Sequence, residues 1–385
     1  MRPPEGPEAG RLFSLFLDLV RIDSESGNEG RICACIKDFC SSMGLVVLED
    51  GAGQEIGGQS GNLVVKVPGA GSAGMRPIIL NAHMDTVAPG NGIAAVDAND
   101  RFASEAETIL GADCKAGIAA ILASVEWTVG SKRAHRPLEL IFTVQEESGL
   151  LGAKHLDMSV VEGRRGVVLD GSGPVGGIVV EAPSQVMLRL TVRGRSSHAG
   201  VEPEKGINAI TCAAEAIAGL RLGRHDERTT SNIGIISGGH AVNIVPDTVV
   251  VEGEIRSLSE ERLKQECDSM IGSFRRAAKR RGCELESEME RSFEHFKLEE
   301  DSESVLLLSD AIRKCGLQPE FVTSGGGSDA NLFNHAGLET AVMNIGINNA
   351  HSKREYILKE DLLSVAKIIS ALTLQSEEQD QEIPV

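Results

Sequence analysis

The feature that most constrains this chain is a set of five short patches, each of which places a histidine or a carboxylate at a predicted strand end. The patches are residues 83–85, 111–115, 145–149, 169–171 and 350–352. Residues 77–82, 138–144 and 166–169 are apolar runs typical of buried strands, and residues 115–128 carry apolar side chains at helical spacing. This alternation predicts an α/β fold with a mostly parallel sheet flanked by helices. Because ligands gather at the carboxyl ends of strands in such sheets, we expect the five patches to converge.

The side chains in these patches are of the kind that bind metal ions. Two histidines and several carboxylates match the ligands of two zinc-like ions that share one bridging group. Two such ions make a nucleophilic hydroxide at neutral pH and polarise a carbonyl, which predicts hydrolysis. Taken alone, Asp113 could be a helix N-cap, and Glu146 with Glu147 a solvated acidic pair. The five patches together favour the metal site.

Residues 183–297 differ in pattern from the rest of the chain. They predict a strand, a helix, two strands, a helix and a strand, which is the ferredoxin-like α+β order. We therefore expect a catalytic domain made of residues 1–182 and 298–385, with an inserted lid and dimerisation domain at residues 183–297. The acidic and polar tail, residues 375–385, is expected to fray.

The composition argues against several classes of function. The 385 residues carry a net charge of −18, from 56 acidic and 38 basic residues, which disfavours nucleic acid because its binding relies on Lys and Arg. No apolar run is long enough to span a membrane, and the first residues lack the apolar core of a signal peptide. Eight cysteines without CxxC spacing predict free thiols in a reducing cytoplasm. We expect a cytoplasmic protein that binds neither nucleic acid nor membranes.

Four motifs give the chain a resemblance to a known family. They are Asn-Ala-His-Met-Asp-Thr-Val at residues 81–87, Ile-Leu-Gly-Ala-Asp-Cys-Lys-Ala-Gly at 109–117, Thr-Val-Gln-Glu-Glu at 143–147 and Ser-Gly-Gly-Gly-Ser-Asp-Ala-Asn at 324–331. In this order and spacing they resemble the peptidase T-like branch of the di-zinc peptidases, a superfamily that also contains aminoacylases and acetylornithine deacetylases. The resemblance covers nearly the whole chain and implies a zinc-exopeptidase-like catalytic domain with an inserted ferredoxin-like lid.

The resemblance also implies a role for each residue of the metal site. The ligands of two divalent ions, zinc or else cobalt or manganese, would be His83, Asp113, Glu147, Asp170 and His351. Asp113 would bridge the ions, Glu146 would be the general base that takes a proton from the bridging water, and Asp85 would support His83 from behind. The family often has a cis peptide after the bridging aspartate, here Asp113–Cys114. Cys114 stands where close relatives often have a second aspartate, a position that is not expected to bind metal.

The inserted domain is expected to supply substrate-binding groups. By the same resemblance, His198 is a lid histidine that enters the partner subunit's site and stabilises the oxyanion, while Asn243 and Arg256 hold the terminal carboxylate of the substrate. Arginine suits this role because its guanidinium pairs bidentately with a carboxylate. The plainer interpretations are a turn-capping asparagine and a strand-edge arginine with a surface partner. A homodimer through the lid follows, because His198 would otherwise have no site to reach.

The sequence therefore predicts a metal-dependent exopeptidase that cleaves an amide bond in small peptides, and a tripeptide aminopeptidase is the preferred form. An N-acyl amino acid deacylase with the same machinery is the alternative among enzymes. A non-catalytic metal- or peptide-binding protein is the alternative from another class, since a fold does not determine a function. The intact set of ligands and base argues against that last alternative.

Overall fold

A computed structural model describes residues 5–72 and 74–374, which form two compact units. The main unit contains the residues up to Val180, Lys297–Thr323 and those from Ser328 onward. The inserted unit contains Glu181–Phe296 and Ser324–Gly327. The roles of these units as catalytic domain and lid remain predictions. The tail expected to fray, residues 375–385, lies outside the described residues.

The helices and strands of both units are numbered together in chain order. The helices are α1 (Ala9–Val20), α2 (Gly30–Ser42), α3 (Ala52–Ile56), α4 (Ala112–Ser131), α5 (Leu151–Lys154), α6 (Ala209–Ala218), α7 (Glu260–Arg281), α8 (Glu303–Lys314), α9 (Asp329–His335) and α10 (Lys359–Thr373). The strands are β1 (Val46–Glu49), β2 (Leu63–Val67), β3 (Ile78–His83), β4 (Ala95–Ala98), β5 (Arg101–Ser104), β6 (Leu138–Thr143), β7 (Arg165–Gly171), β8 (Gly177–Ala182), β9 (Ser184–Arg193), β10 (Gly223–Asp226), β11 (Thr229–Gly238), β12 (Thr248–Ser257), β13 (Glu284–Phe293), β14 (Phe296–Lys297), β15 (Glu320–Thr323), β16 (Glu339–Asn344), β17 (Ile347–Asn348) and β18 (Tyr356–Leu358).

The main unit is built on a nine-stranded sheet in the order β1-β2-β6-β3-β7-β16-β8-β14, with β15 beside β8. Its four central strands β6, β3, β7 and β16 are parallel, whereas β2 and β8 join them antiparallel. The predicted α/β class is confirmed, and the parallel part occupies the centre of a mixed sheet. His83 on β3 lies opposite Thr143 on β6, so these strands end level with each other.

Helix α4 packs beside the central strands and forms part of the core. It packs against β3 and β7 on one side and against α1 and α10 on the other. Its residues are apolar or small nearly all round, as in Ile118, Ile121, Leu122 and Val125, which are almost completely buried. All residues from Cys114 to Val125 are buried, so packing on every face fixes the start of α4 at the sheet edge. In the part of the chain that the structure describes, no helix is both long and apolar enough to cross a membrane.

The inserted unit has a five-stranded antiparallel sheet in the order β10-β11-β12-β9-β13, with α6 and α7 against one face. Residues of β12 alternate between the two faces, as a sheet with one covered face requires. Val249, Val251 and Ile255 are buried in the core, and the side chains between them, such as Glu254 and Arg256, are partly exposed. The predicted ferredoxin-like order is confirmed, with β10 as an additional strand.

Candidate active site

The residues of the five patches meet at the carboxyl edge of the central parallel strands. His83 ends β3, Glu146 and Glu147 follow β6, and Asp170 lies next to the end of β7. Asp113 enters from the first turn of α4, and His351 comes from the loop between β17 and β18. Three groups each bring possible ligand atoms within 4.8 Å of one another, namely His83 with Asp113, Cys114 and Asp170, His83 with Glu146 and Glu147, and Asp113 with Glu147 and His351.

Asp113 lies between the two histidines. Its Oδ1 is 3.2 Å from Nε2 of His83, and its Oδ2 is 3.2 Å from Nε2 of His351. The turn before it passes through Gly111 at φ 71°, where a side chain would be strained and its Cβ would lie 3.2 Å from Ile93. The Asp113–Cys114 peptide bond is cis, as the resemblance implies. A carboxylate that directs one oxygen to each of two imidazoles has the arrangement of a bridging ligand.

His83 is buried and held in one orientation. Its Nδ1 is 2.9 Å from the backbone carbonyl oxygen of Asp85, so this nitrogen carries the proton and donates it. In the neutral ring Nε2 is therefore the nitrogen with the lone pair, and it faces Oδ1 of Asp113 at 3.2 Å and Oδ1 of Asp170 at 3.6 Å. The side chain is only 1% exposed, which leaves little room for it to rotate.

Asp85 acts mainly on the loop that carries the two glutamates. Its Oδ1 accepts a hydrogen bond from the backbone N–H of Glu146 at 2.9 Å, and its Oδ2 accepts from the N–H of Glu147 at 3.2 Å. The hydroxyl of Ser26 also donates to Oδ2, at 2.6 Å. The carboxylate lies 3.4 Å from Nδ1 of His83, farther than the carbonyl that bonds this nitrogen. One buried carboxylate thus fixes the backbone of both Glu146 and Glu147.

His351 occupies an exposed position opposite the buried His83. Its Nε2 is 2.9 Å from Oε1 of Glu147 and 3.2 Å from Oδ2 of Asp113, and its side chain is 51% exposed. The residue has φ 59°, a left-handed conformation that is uncommon outside glycine. The two imidazoles therefore approach the carboxylates from different depths, one from the sheet and one from a loop.

The electrostatics of the cluster are dominated by its carboxylates. Burial, reinforced by Asp170, raises the pKa of Glu146 well above its usual value, and burial raises the pKa of Asp170 to about 7. Contacts with Asp113 and Glu147 raise the pKa of His351 to about 10. Burial opposes ionisation of Asp113, but His351 and His83 together lower the pKa of this carboxyl. Carboxylates outnumber imidazoles here, so the site attracts cations.

The donor atoms fit two divalent metal ions. The Nε2 lone pair of His83 faces carboxylate oxygens, which are also acceptors, and such a pairing needs a cation or a proton between the atoms. His83, Asp113 and Asp170 form one ligand set, and Asp113, Glu147 and His351 form the other, with the nitrogen and oxygen donors that zinc accepts. Cys114 is a poor ligand because its thiol donates to the carbonyl of Leu169 and burial raises its pKa well above the usual value.

Comparison with known proteins places this site in a family. Residues 79–375 match the peptidase family M20/M25/M40. The chain belongs to this family. An uncharacterized protein of Bacillus subtilis, YqjE, is 41% identical over 362 residues, which are 94% of this chain and 97% of that protein.

Two solved structures make the resemblance more specific. A tripeptidase from Staphylococcus aureus is 35% identical with a TM-score of 0.89, covering 96% of this chain and 98% of that one. An aminopeptidase PepT from Bacillus cereus is 38% identical with a TM-score of 0.84, covering 95% and 98%. The chain is a peptidase T-like member of the family and a metallopeptidase hydrolase.

In this peptidase, two of the predicted substrate-binding residues lie beside each other in the inserted unit. His198 pairs with Ile244 in an isolated β-bridge, and the N–H of Ala199 donates to the carbonyl oxygen of Asn243 at 2.9 Å. Both His198 and Asn243 are exposed. Their side chains are therefore available to a ligand.

Arg256, the third predicted substrate-binding residue, already has a carboxylate partner on one edge. Its Nε and Nη2 donate to the carboxylate of Glu254, at 3.2 and 3.0 Å. Gln185 holds the same carboxylate through its side-chain amide. The plainer interpretation, an ionic partner on the same strand, therefore applies to this edge of the guanidinium. Its Nη1 takes no part in the contact with Glu254, so the outer edge of the group can bind a second carboxylate.

Several buried residues around the site were not predicted from the sequence. Asp329 is 1% exposed, and its Oδ2 accepts hydrogen bonds from Thr143 and Asn81. Glu29 is completely buried, and its Oε1 accepts from the N–H of Gln145, the left-handed residue at φ 49° just before Glu146. Asp329 lies in a motif that the resemblance had marked, but the sequence around Glu29 gives no comparable signal.

Proposed function

We propose that this chain is a tripeptide aminopeptidase that depends on two divalent metal ions, zinc or else cobalt or manganese. The observation that carries the proposal is the Asp113 carboxylate, which has one oxygen directed to His83 and the other to His351. In the proposal His83, Asp113 and Asp170 would hold one ion, and Asp113, Glu147 and His351 would hold the other. When bound, such ions lower the pKa of a water molecule and polarise the scissile carbonyl.

Glu146 is the general base in this mechanism. Its buried carboxyl group has a pKa raised well above the usual value, first by burial and then by Asp170, which makes the carboxylate a stronger proton acceptor. It takes a proton from the attacking water and returns that proton to the nitrogen of the leaving amine. Asp85 fixes the backbone N–H groups of Glu146 and Glu147, which keeps the base in place during both transfers. His198 would stabilise the oxyanion that forms on the carbonyl oxygen.

Arg256 and Asn243 would bind the free carboxylate at the end of the peptide. Replacing Arg256 by alanine is expected to raise KM about 10–100-fold for tripeptides with a free carboxylate, since a charge-assisted hydrogen bond is worth about 1.5–3 kcal/mol. The same substitution should leave KM unchanged for peptides that end in an amide. Steady-state kinetics with both kinds of peptide make the comparison.

Arg189 provides a control on the same sheet, because it also pairs with a glutamate, Glu252 on the neighbouring strand. Arg189→Ala should leave KM for both kinds of peptide unchanged. An Arg256→Ala enzyme with wild-type KM for free tripeptides would remove this residue from the proposal.

The inserted unit also has a surface suited to a homodimer. Strand β10 pairs with β11 only as far as Ser231, and no other described strand lies along the outer edge of β11 beyond that point. Ile235 and Ile236 on this free stretch are 55% and 54% exposed. An apolar free edge is a template for pairing with an identical strand around a twofold axis. We propose that β11 pairs with the same strand of a second copy.

Ile236→Asp is expected to convert the dimer to a monomer in sedimentation velocity, whereas Met289→Asp on β13, at the other edge of the sheet, should leave it intact. If His198 serves the partner's site, the inactive variants His198→Ala and Glu146→Gln should regain activity when mixed, because one site then has both residues. A monomeric wild-type protein, or no recovery on mixing, would contradict this assembly.

A substrate panel tests the proposed activity directly. Tripeptides, dipeptides and N-acetyl amino acids are offered to the metal-loaded enzyme, and the released amino acid is identified. Release of the N-terminal residue from tripeptides, with slower cleavage of the other two classes, is the expected result. Preferential cleavage of N-acetyl amino acids would make the chain a deacylase.

All eight cysteines are free thiols, and the cytoplasmic location inferred from their spacing stays a prediction.

A further inference from the structure

Glu355 binds the turn that presents Asp113. It lies four residues after His351 and is only 2% exposed. Its Oε2 accepts hydrogen bonds from the backbone N–H groups of Leu110 and Gly111, both at 2.9 Å, and its Oε1 accepts from the N–H of Asp113 at 3.1 Å. A carboxylate is costly to bury, and three amide donors offset this cost only while the turn keeps its shape. The side chain and the turn therefore hold each other in place.

Glu355 also belongs to the loop that carries His351. Its own N–H donates to the carbonyl oxygen of Ser352 at 3.0 Å, which closes the loop just after the histidine. The next residue, Tyr356, begins β18 and pairs with Ala103 on β5, so the far end of the loop is anchored in a sheet. One side chain thus connects the segment of His351 to the segment of Asp113.

The two ligand sets depend on this connection to different degrees. His83 and Asp170 lie on β3 and β7, where the central sheet holds their backbone without help from Glu355. His351 lies on a loop with its side chain 51% exposed. Its distance from Asp113 depends on how that loop is fixed. A substitution of Glu355 should therefore weaken metal binding most at the ligand set that contains both Asp113 and His351.

We propose that Glu355 is a positioning residue for the second metal subsite, the one formed by Asp113, Glu147 and His351. It holds the His351 loop and the Asp113 turn at the spacing that one ion needs. This inference rests on the proposed two-metal centre. Loss of a group that orients metal ligands typically costs about 10–100-fold in affinity, and here we expect that loss at one of the two ions.

The experiment measures zinc binding by competition with a chromophoric chelator, in wild-type protein and in Glu355→Gln. Glutamine keeps the length of the side chain but turns an NH₂ group toward amide donors, so at least one of the three hydrogen bonds is lost. We expect the wild type to bind two zinc ions tightly. The variant should bind one zinc ion as tightly as the wild type and the second about 10–100-fold more weakly. Activity of the variant should recover when zinc is added in excess.

Glu139→Gln is the matched control. Glu139 is also a fully buried carboxylate that accepts backbone hydrogen bonds, from Glu162 and Gly163, but it lies near the amino end of β6, away from the site. Glu139→Gln should bind two ions with wild-type affinity even if it unfolds at a lower temperature. Glu355→Asp, which keeps the charge but shortens the side chain, replaces Glu355→Gln if that variant does not fold, and should lose the same ion.

Three results would overturn the inference. The first is wild-type affinity for both ions in the Glu355 variants. The second is an equal loss of affinity for both ions, and the third is the same loss of affinity in Glu139→Gln. The last two results would indicate a general loss of stability. A wild-type protein that binds fewer than two ions would instead contradict the proposed two-metal centre, and the inference with it.

Discussion

Glu146→Gln is expected to lower kcat by about 10²–10⁴-fold, the usual contribution of a general base. Glutamine has nearly the same size and keeps the backbone contacts to Asp85, so the site should keep its shape. KM for tripeptides and the content of bound metal should remain close to those of the wild type. Steady-state kinetics and metal analysis of the same preparation give both numbers.

A substitution of the neighbouring Glu147 distinguishes the general base from a metal ligand. Glu147→Gln should lose an ion, because Glu147 belongs to the ligand set with Asp113 and His351, whereas Glu146→Gln should not. If Glu146→Gln loses metal, or keeps wild-type kcat with both ions bound, the base lies elsewhere. If the two variants behave alike, the division of roles between adjacent glutamates is wrong.

The second large effect is expected at Asp113. Asp113→Ala removes the carboxylate that faces both imidazoles, so neither ligand set remains complete. We expect the purified variant to keep little metal and kcat/KM to fall by about 10³-fold or more, since bound metal supplies several kcal/mol of transition-state stabilisation. Metal analysis and tripeptide hydrolysis at saturating zinc are the measurements.

Cys114→Ala is the control for this variant. Cys114 is the next residue, is completely buried and lies within ligand distance of His83, but its thiol donates to the carbonyl of Leu169. The alanine variant should therefore keep both ions and most of its activity. A loss of metal in Cys114→Ala, or full metal content in Asp113→Ala, would reverse the assignment of the ligand at this turn.

The convergence of the site could be predicted from the sequence because it follows from strand order. His83, Glu146, Glu147 and Asp170 each follow or end an apolar run, and parallel strands bring their carboxyl ends to one edge. The order of elements in the inserted unit was also predictable, because apolar alternation and helical spacing are local signals. The antiparallel strands that flank the central sheet were not predicted, since pairing at a sheet edge is set by distant residues.

The groups that support the ligands could not be found in the same way. Glu355 bonds to backbone N–H groups about 245 positions earlier in the chain, and a backbone donor leaves no mark on the sequence. Asp85 was predicted to support His83, yet its carboxylate also binds the N–H groups of Glu146 and Glu147. Arg256 was predicted from its motif, but its contact with Glu254 depends on side-chain orientation along a strand. Each of these contacts needs the folded backbone.

A zinc titration of metal-stripped enzyme, followed by hydrolysis of a tripeptide at every step, tests the proposed two-metal tripeptidase itself. We expect almost no hydrolysis without metal. Release of the N-terminal residue should rise as zinc is added and level off at two ions per chain. Undiminished hydrolysis in the stripped enzyme, or two bound ions without cleavage of any tripeptide, would contradict that proposal.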